Sequence, residues 1–455
     1  MKDGGRKLFG TDGVRGTANV HPMTAEVALA LGQAAAHVFR QTGDRRHRIL
    51  IGKDTRLSGY MFEDALASGI CSMGVDVIHV GPMPTPAMAF LTTDMRCDAG
   101  VMITASHNPY QDNGIKFFGR DGFKLADEIE NQIEELIESG QLPELRASAE
   151  EVGQATRIDD AEGRYVVFLK NTFPRDLTLE GMRVVLDCAN GAAYKVGPTV
   201  MRELGAELFT LGIEPDGRNI NDKCGSLYPE GVSNLVREVE ADVGIAVDGD
   251  SDRLMVVDER GEVLDGDVVI ALCARYLADS GRLKGGGVVT TVMSNLGLEE
   301  ALAERGLDLV RAPVGDRYVV EAMRKGGYNL GGEQSGHVIF LDHGTTGDGL
   351  MTAVQVLAIM AREGVPLSQL TAGFKKYPQV MVNVEVSQKK PLESLSDLQV
   401  AIAEVEEEFA GKGRVLIRYS GTELKARVMV EGSEEFDVAG YAERLAGVLK
   451  NALAD

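Results

Sequence analysis

The chain has 455 residues, 44% hydrophobic and 25% charged, with a net charge of −22; at roughly 150 residues per domain this predicts about three soluble globular domains, one more or fewer. The acidic balance excludes nucleic acid and anionic membrane as partners unless cations are gathered locally, and no apolar run approaches the ~20 residues that span a bilayer. The opening Met1-Lys-Asp-Gly-Gly-Arg-Lys has no apolar signal core, so a cytoplasmic protein is expected.

In chain order, Val27, Leu31, Ala35 and Val38 mark an amphipathic helix entered through Pro22 with Thr24 as its cap. The basic run Arg45-Arg46-His47-Arg48 reads as a solvated loop. Apolar runs at Ile49–Ile51, Val75–Val80 and Gly100–Thr104 predict strands, and Leu125, Ile129, Ile133 and Leu136 a second helix. Polar sequence from about Ser139 to Gly163 predicts a domain boundary. Strands follow at Val184–Leu186 and Gly244–Val247, and a third unit begins near Leu254. Strands alternating with helices predict βαβ units and largely parallel sheets. Past Pro378 the rhythm changes: alternating Val380, Val382, Val384 and Val386, a helix over 398–409, two strands and a last helix predict a smaller α+β domain. The fold class expected is α/β, three related α/β domains plus a smaller C-terminal α+β domain around a central cleft. Its domains would span 1–152, 153–254, 255–372 and 373–455. Cys71, Cys97, Cys188, Cys224 and Cys273 are scattered without CxxC pairing, against a disulfide framework or zinc site.

Four segments carry chemistry, each at a strand end or in a loop, where α/β proteins place ligands. Thr104-Ala105-Ser106-His107-Asn108-Pro109 offers Ser106 as nucleophile or as a turn-capping serine. A hydrolase with His107 as base is disfavoured, because neighbours in extended chain point to opposite sides and no GxSxG elbow surrounds Ser106. Asp248, Asp250 and Asp252, at i, i+2 and i+4, suit a hard cation such as Mg²⁺. The Ca²⁺-loop reading fails because Arg253 takes the place of the sixth-position glycine; a solvated acidic turn stays open. Gly331-Gly332-Glu333-Gln334-Ser335-Gly336-His337 offers donors and acceptors for sugar hydroxyls, or simply a turn. Arg418-Tyr419-Ser420-Gly421-Thr422-Glu423, with Arg427 beyond, is a phosphate cradle or an arginine-bearing hairpin. Together they describe phosphoryl transfer on a phosphosugar. No P-loop or kinase set is present, so the phosphate would be stored on Ser106 rather than drawn from ATP.

KLFGTDGVRG (7–16), GKDTRLSG (52–59), TASHNP (104–109), NGIKFF (113–118), DGDSDR (248–253), VGDRY (314–318), GGEQSGH (331–337) and RYSGTE (418–423) occur in one order. In this the chain resembles the α-D-phosphohexomutases along essentially its whole length. The resemblance implies that Ser106 is a phosphoserine and that Asp248, Asp250 and Asp252 hold Mg²⁺ together with Ser106. It implies Arg15, Lys116 and His337 around the reacting centre, with Lys116 or His337 handling the proton. Glu333 and Ser335 would meet the sugar, and Arg418, Ser420, Gly421, Thr422 and Arg427 the non-reacting phosphate. Within the family, Gln334, Gly421, the KLFGTDGVRG opening and TTVMSNLGL (290–298) point to glucosamine; Tyr419 departs from the Pro, Ala or Glu of many relatives. The implied reaction interconverts glucosamine 6-phosphate and glucosamine 1-phosphate through glucosamine 1,6-bisphosphate, feeding UDP-N-acetylglucosamine synthesis. A homodimer is the family expectation. Alternatives are the same chemistry on glucose or mannose phosphates, a non-catalytic sugar-phosphate binder, and a phosphatase.

Overall fold

A computed structural model of the protein describes residues 8–10, 12–40, 46–420 and 424–453. The apolar runs of the N-terminal third are buried strands. Arg48–Lys53 lies parallel to both Asp76–Pro82 and Ala99–Ile103. Ala99–Ile103 then pairs antiparallel with Asp112–Gly119, and Asp112–Gly119 with Val14–Thr17. Ala155–Arg157 completes the six strands, parallel to Asp76–Pro82. Helices Ala25–Arg40 and Gly59–Ser72 send Leu31, Ala35, Phe62, Leu66 and Ile70 into one core with Ile49, Ile51 and Val101. The two helices meet backbone to backbone: a Cβ on Gly32 would stand 2.6 Å from the Leu66 carbonyl oxygen, and one on Gly69 2.3 Å from that of Leu29. Thr24 Oγ1 accepts from the Val27 N–H (3.4 Å), as a cap should. The helix expected from Leu125, Ile129, Ile133 and Leu136 is Asp127–Ser139, with Leu125 just ahead of it.

The next sheet runs Val263–Leu264, Leu254–Asp258, Val243–Val247, Arg183–Asp187, Glu207–Leu211. Arg183–Asp187 is parallel to both of its neighbours. Leu254–Asp258 instead turns back antiparallel on Val243–Val247, with Leu254 opposite Val247. Three strands therefore fall on the other side of the boundaries read from sequence, Val263–Leu264 among them. Leu254–Asp258 closes the second sheet rather than opening a third unit, because the tight 248–253 turn returns it to the strand it left. Ala155–Arg157, expected in the second domain, edges the first sheet. The third sheet has four strands, Asp308–Ala312, Gly287–Thr291, Leu330–Gly332 and Val338–Phe340. In the last, Lys425–Gly432 lies between Gln379–Glu385 and Gly413–Tyr419, antiparallel to both. Helices Ser396–Phe409 and Val438–Ala452 cover it, burying Leu398, Val405, Leu445 and Leu449 against Val384, Val428 and Val430. The class is the expected one: α/β units followed by a smaller α+β unit.

The chain divides into two compact units: residues through Met293 with Leu309–Ala372, and Ser294–Asp308 with Gly373 onward. Ser294–Asp308 is fastened into the second unit by polar bonds. Asn295 accepts from the Tyr377 N–H (2.9 Å) and donates to its carbonyl (3.0 Å). The Leu296 N–H donates to Glu431 (2.8 Å), and Arg414 donates to the Ser294 carbonyl (2.6 Å).

The basic run is not wholly a solvated loop. His47 is buried with Nδ1 3.2 Å from Asp98 Oδ2, and Arg48 opens a strand, its N–H bound to the same carboxylate (3.0 Å). None of the five cysteines is in a disulfide. Among the described residues no helix is long and apolar enough to cross a membrane.

Candidate active site

The strand Ala99–Ile103 runs out into the turn that carries Ser106. Ser106 is buried and holds a left-handed φ of +51°, a conformation that costs an L-residue roughly 1–2 kcal/mol and persists only where its surroundings impose it. Its Oγ donates to Asp248 Oδ2 at 2.6 Å, and its N–H donates to Thr104 Oγ1 at 2.9 Å. The same twist brings His107 Nδ1 to 3.4 Å from Ser106 Oγ. The expectation that neighbours here point apart is thus corrected: the rule holds for extended chain, and Ser106 is not extended. Burial, then Arg253, lowers the His107 pKa to about 4, so the ring is neutral near pH 7.

Strand Val243–Val247 leads directly into the acidic turn. Asp248, Asp250 and Asp252 are buried, and each offers an oxygen within 4.8 Å of the others'. Burial, then Asp252 and Asp250, pushes the Asp248 carboxyl well above the usual carboxylate range, as expected for a buried acid beside like charges. Asp250 Oδ2 accepts from Thr85 Oγ1 (2.6 Å) and from Lys116 Nζ (3.1 Å), while its Oδ1 and that of Asp252 are buried with no hydrogen-bond partner among the described residues. Buried carboxylate oxygens need a donor or a cation. Three oxygen donors, two of them orphaned, fit a hard divalent cation, so these residues suit the ion the sequence implies.

Lys116, on strand Asp112–Gly119, is buried beside Asp12 (3.2 Å), Asp250 (3.1 Å) and Asp252 (3.7 Å). Burial lowers its pKa, but Asp12, Asp250 and Asp252 outweigh that and hold the ammonium charged, with its pKa raised. Asp12 also pairs with Arg15 and Lys124, and Lys124 reaches Asp316 (2.6 Å). Asp316 lies 3.5 Å from His337 Nε2, and His337 Nδ1 3.7 Å from Asp252. The result is a closed ring in which the carboxylates Asp12, Asp316 and Asp252 alternate with the ammoniums of Lys116 and Lys124 and the His337 imidazole. His337 Nε2 accepts from the Gly347 N–H at 3.1 Å, so its proton sits on Nδ1, facing Asp252.

The glycine-rich segment spans strands Leu330–Gly332 and Val338–Phe340. Glu333 accepts from the Gly315 N–H (3.3 Å) and from Ser335 Oγ (3.4 Å). A Cβ on Gly336 would stand 1.9 Å from the Leu254 carbonyl oxygen, and the Leu254 N–H donates to the Gly336 carbonyl (3.1 Å), which fixes this loop to the strand leaving the acidic turn.

In the second unit Arg418 and Arg427 face each other on neighbouring strands. Among the described residues the Nε of each is buried without a hydrogen-bond partner; burial, then Arg427, lowers the pKa of Arg418. Ser420 is buried, its N–H bound to the Lys425 carbonyl (2.8 Å) and its own carbonyl to Lys389 Nζ (2.6 Å). Gly421 and Thr422 lie outside the described residues.

Ser106, the aspartate triad, Lys116, Arg15 and His337 thus come together within the first unit. Sequence reasoning assigned no role to Asp12, Lys124, Asp316 or Thr85. Asp12 and Asp316 sit inside the quoted FGTDGVRG and VGDRY segments, a signal that was there to use; Lys124 and Thr85 act through contacts distant in sequence.

Four family profiles match in succession: phosphoglucomutase/phosphomannomutase alpha/beta/alpha domain I at 6–144, domain II at 163–261, domain III at 265–377 and the C-terminal domain at 381–448. A phosphoglucosamine mutase from Myxococcus xanthus (strain DK1622) is 59% identical over 449 residues, 99% of this chain and 98% of that one. One from Syntrophotalea carbinolica is 58% identical over 448 residues, 98% of each. Among solved structures, a phosphoglucomutase/phosphomannomutase family protein from Burkholderia thailandensis superposes with a TM-score of 0.79 at 25% identity, covering 97% of both chains. An Aspergillus fumigatus N-acetylphosphoglucosamine mutase, solved with GlcNAc-6P and magnesium, gives 0.69 at 20% identity over 98% of this chain and 96% of that one. At that identity the likeness is one of fold.

Proposed function

The chain belongs to the phosphoglucomutase/phosphomannomutase family, and from that premise we infer that it interconverts glucosamine 6-phosphate and glucosamine 1-phosphate by passing a phosphoryl group through Ser106. The observation that carries the role of Ser106 is its buried hydroxyl, 2.6 Å from Asp248 at the mouth of a triad with orphaned oxygens. In the first half-reaction the bond between phosphorus and Ser106 Oγ breaks and one to O1 of the sugar forms, giving glucosamine 1,6-bisphosphate. In the second, the 6-phosphate returns to Ser106 and O6 is released. Each half-reaction moves one proton from the attacking hydroxyl to the departing oxygen. Lys116, held as an ammonium, donates that proton and is refilled by the attacking hydroxyl. His337, its Nε2 occupied by Gly347, orients Asp252 rather than acting as base. Asp248, Asp250 and Asp252 hold Mg²⁺, which supplies neutralisation of charge developing on the transferred group. Arg15 adds positive charge at the centre, Glu333 and Ser335 meet the sugar, and Arg418 and Arg427 take the phosphate that does not react, with Ser420, Gly421 and Thr422 completing their loop. The setting is the cytoplasm, with a free phosphosugar as substrate.

Substrate choice rests on the 58–59% identical relatives and on Glu333. A carboxylate facing the C2 ammonium of glucosamine adds a charge-assisted bond worth roughly 1.5–3 kcal/mol. A competition assay with glucosamine 6-phosphate and glucose 6-phosphate at equal concentration should show kcat/KM favouring the amino sugar by about ten- to a few-hundredfold. Equal or reversed preference would move the protein to the glucose/mannose branch.

A further inference from the structure

Two buried side chains behind the serine turn have no place in the chemistry above. Arg56 is fully buried and spends every one of its N–H groups. Its Nε is bound to Asp54 (2.8 Å), Nη1 to the carbonyls of Pro109 and Asp112 (3.1 Å to the latter), and Nη2 to those of Ser106 (2.9 Å) and Asn108 (2.8 Å). Asn221 arrives from the following domain, between strands of the second sheet, and its Nδ2 grips the same two carbonyls, Ser106 at 2.9 Å and Asn108 at 3.1 Å. Each carbonyl is thus held from both sides, once from its own domain and once from the next.

The crowding at this point admits little slack. A Cβ on Gly249, inside the acidic turn, would lie 2.7 Å from the Ser106 carbonyl oxygen and 2.8 Å from Asn221 Nδ2. Ser106, Asn221 and Ser251 all hold left-handed φ, at 51°, 57° and 60°; strained backbone on converging loops is kept only where neighbours over-determine it. Asn tolerates that conformation, and its amide provides two donors for two carbonyls.

We propose that Asn221 and Arg56 are positioning residues for phosphoryl transfer: they lock the Ser106 turn against the acidic turn so that Oγ meets Asp248, and Asn221 registers the nucleophile of one domain to the carboxylates of the next. The proposal rests on Ser106 being the phosphoryl carrier. An in-line transfer depends steeply on such register, and a misplacement of about 1 Å costs on the order of a hundredfold.

The test uses the full-length protein and Asn221→Gly, which keeps the left-handed backbone and removes the amide, with Asn221→Asp as a second variant of equal size that cannot donate. Dephosphorylated protein is mixed with glucose 1,6-bisphosphate and Mg²⁺, and uptake of one phosphate is followed by intact mass. Both variants should be phosphorylated about ten- to a hundredfold more slowly than wild type. Their kcat should fall by the same factor with KM for glucosamine 6-phosphate within about threefold, since the proposed sugar and phosphate contacts lie elsewhere. A purely structural role would lower thermal stability while leaving the phosphorylation rate per folded molecule within twofold, and that result overturns the proposal. If wild type itself takes up no phosphate on Ser106, the phosphoserine reading fails instead.

Discussion

The reacting centre and the arginine loop of the C-terminal unit solve opposite problems with charge. Around Ser106 most charges already have a partner: Lys116, Lys124 and the His337 imidazole alternate with the carboxylates of Asp12, Asp316 and Asp252 in a ring. What is left over there is negative, the orphaned oxygens of Asp250 and Asp252. In the C-terminal unit Arg418 and Arg427 stand opposite one another, and among the described residues neither Nε has a hydrogen-bond partner. On the proposed function the Ser106 centre is where bonds break, with its charges arranged in advance because reorganising them during transfer is costly. The arginine pair, on the same proposed function, grips a phosphate dianion, and the ligand supplies the charge opposite the cations.

The comparison breaks most visibly at the nucleophile. Ser106→Ala should lower turnover by about 10⁴-fold or more while leaving the thermal melt near wild type, since the hydroxyl is small and its removal leaves the turn's carbonyl bonds in place. Turnover within tenfold of wild type would end the phosphoserine mechanism. Asp250→Asn keeps the shape but removes one charge of the triad; kcat should fall by about a thousandfold, several kcal/mol of barrier. Excess EDTA should silence the wild type and added Mg²⁺ restore it. Full activity in EDTA would mean that the orphaned oxygens hold no ion.

On the other side, Arg418→Ala should raise KM about ten- to a hundredfold, the value of one or two charge-assisted bonds, with a smaller loss of kcat. An unchanged KM would remove the arginine pair from substrate binding. The smallest effect sharpens the comparison within the first unit. Asp348 is buried, accepts from Tyr165 Oη (2.6 Å) and the Met351 N–H (2.9 Å), and caps helix Gly349–Glu363. Burial raises its pKa to about 6 despite those bonds. A carboxyl raised above its unfolded value favours the folded state at low pH, and that advantage is lost as pH climbs from about 4 to about 6. Asp348→Asn, which can still cap, should therefore gain roughly 1–3 kcal/mol over wild type at pH 7–8, with the gap closing below about pH 4. Urea melts at both pH values measure it, and a pH-independent difference would show that the carboxyl titrates normally.

Much of this was legible in the sequence because strand ends and short glycine-bearing turns are local. Ser106, Asp248, Asp250 and Asp252 each follow an apolar run that could only be a buried strand, so their placement followed from the pattern. The rest depends on which strand lies beside which. Leu254–Asp258 has the same apolar composition whether it opens a new sheet or closes an old one, and only the 248–253 turn decides. Lys124 and Asp316 are ordinary surface residues by composition; their pairing spans 192 residues. His107 was set aside on a rule for extended chain, which the positive φ of Ser106 voids.

Ser294–Asp308 leaves the ribosome long before the partners that hold it. Its ties run to Tyr377, Arg414 and Glu431, more than about a hundred residues downstream for the last two. At 5–20 residues per second the segment waits on the order of ten seconds for them. Helix Leu296–Ala303 must spend that interval exposed or provisionally housed, and the C-terminal unit cannot be cut free at residue 373 without leaving Asn295 and Arg414 each short of a partner. The last domain to be made is completed by a piece of the one before it.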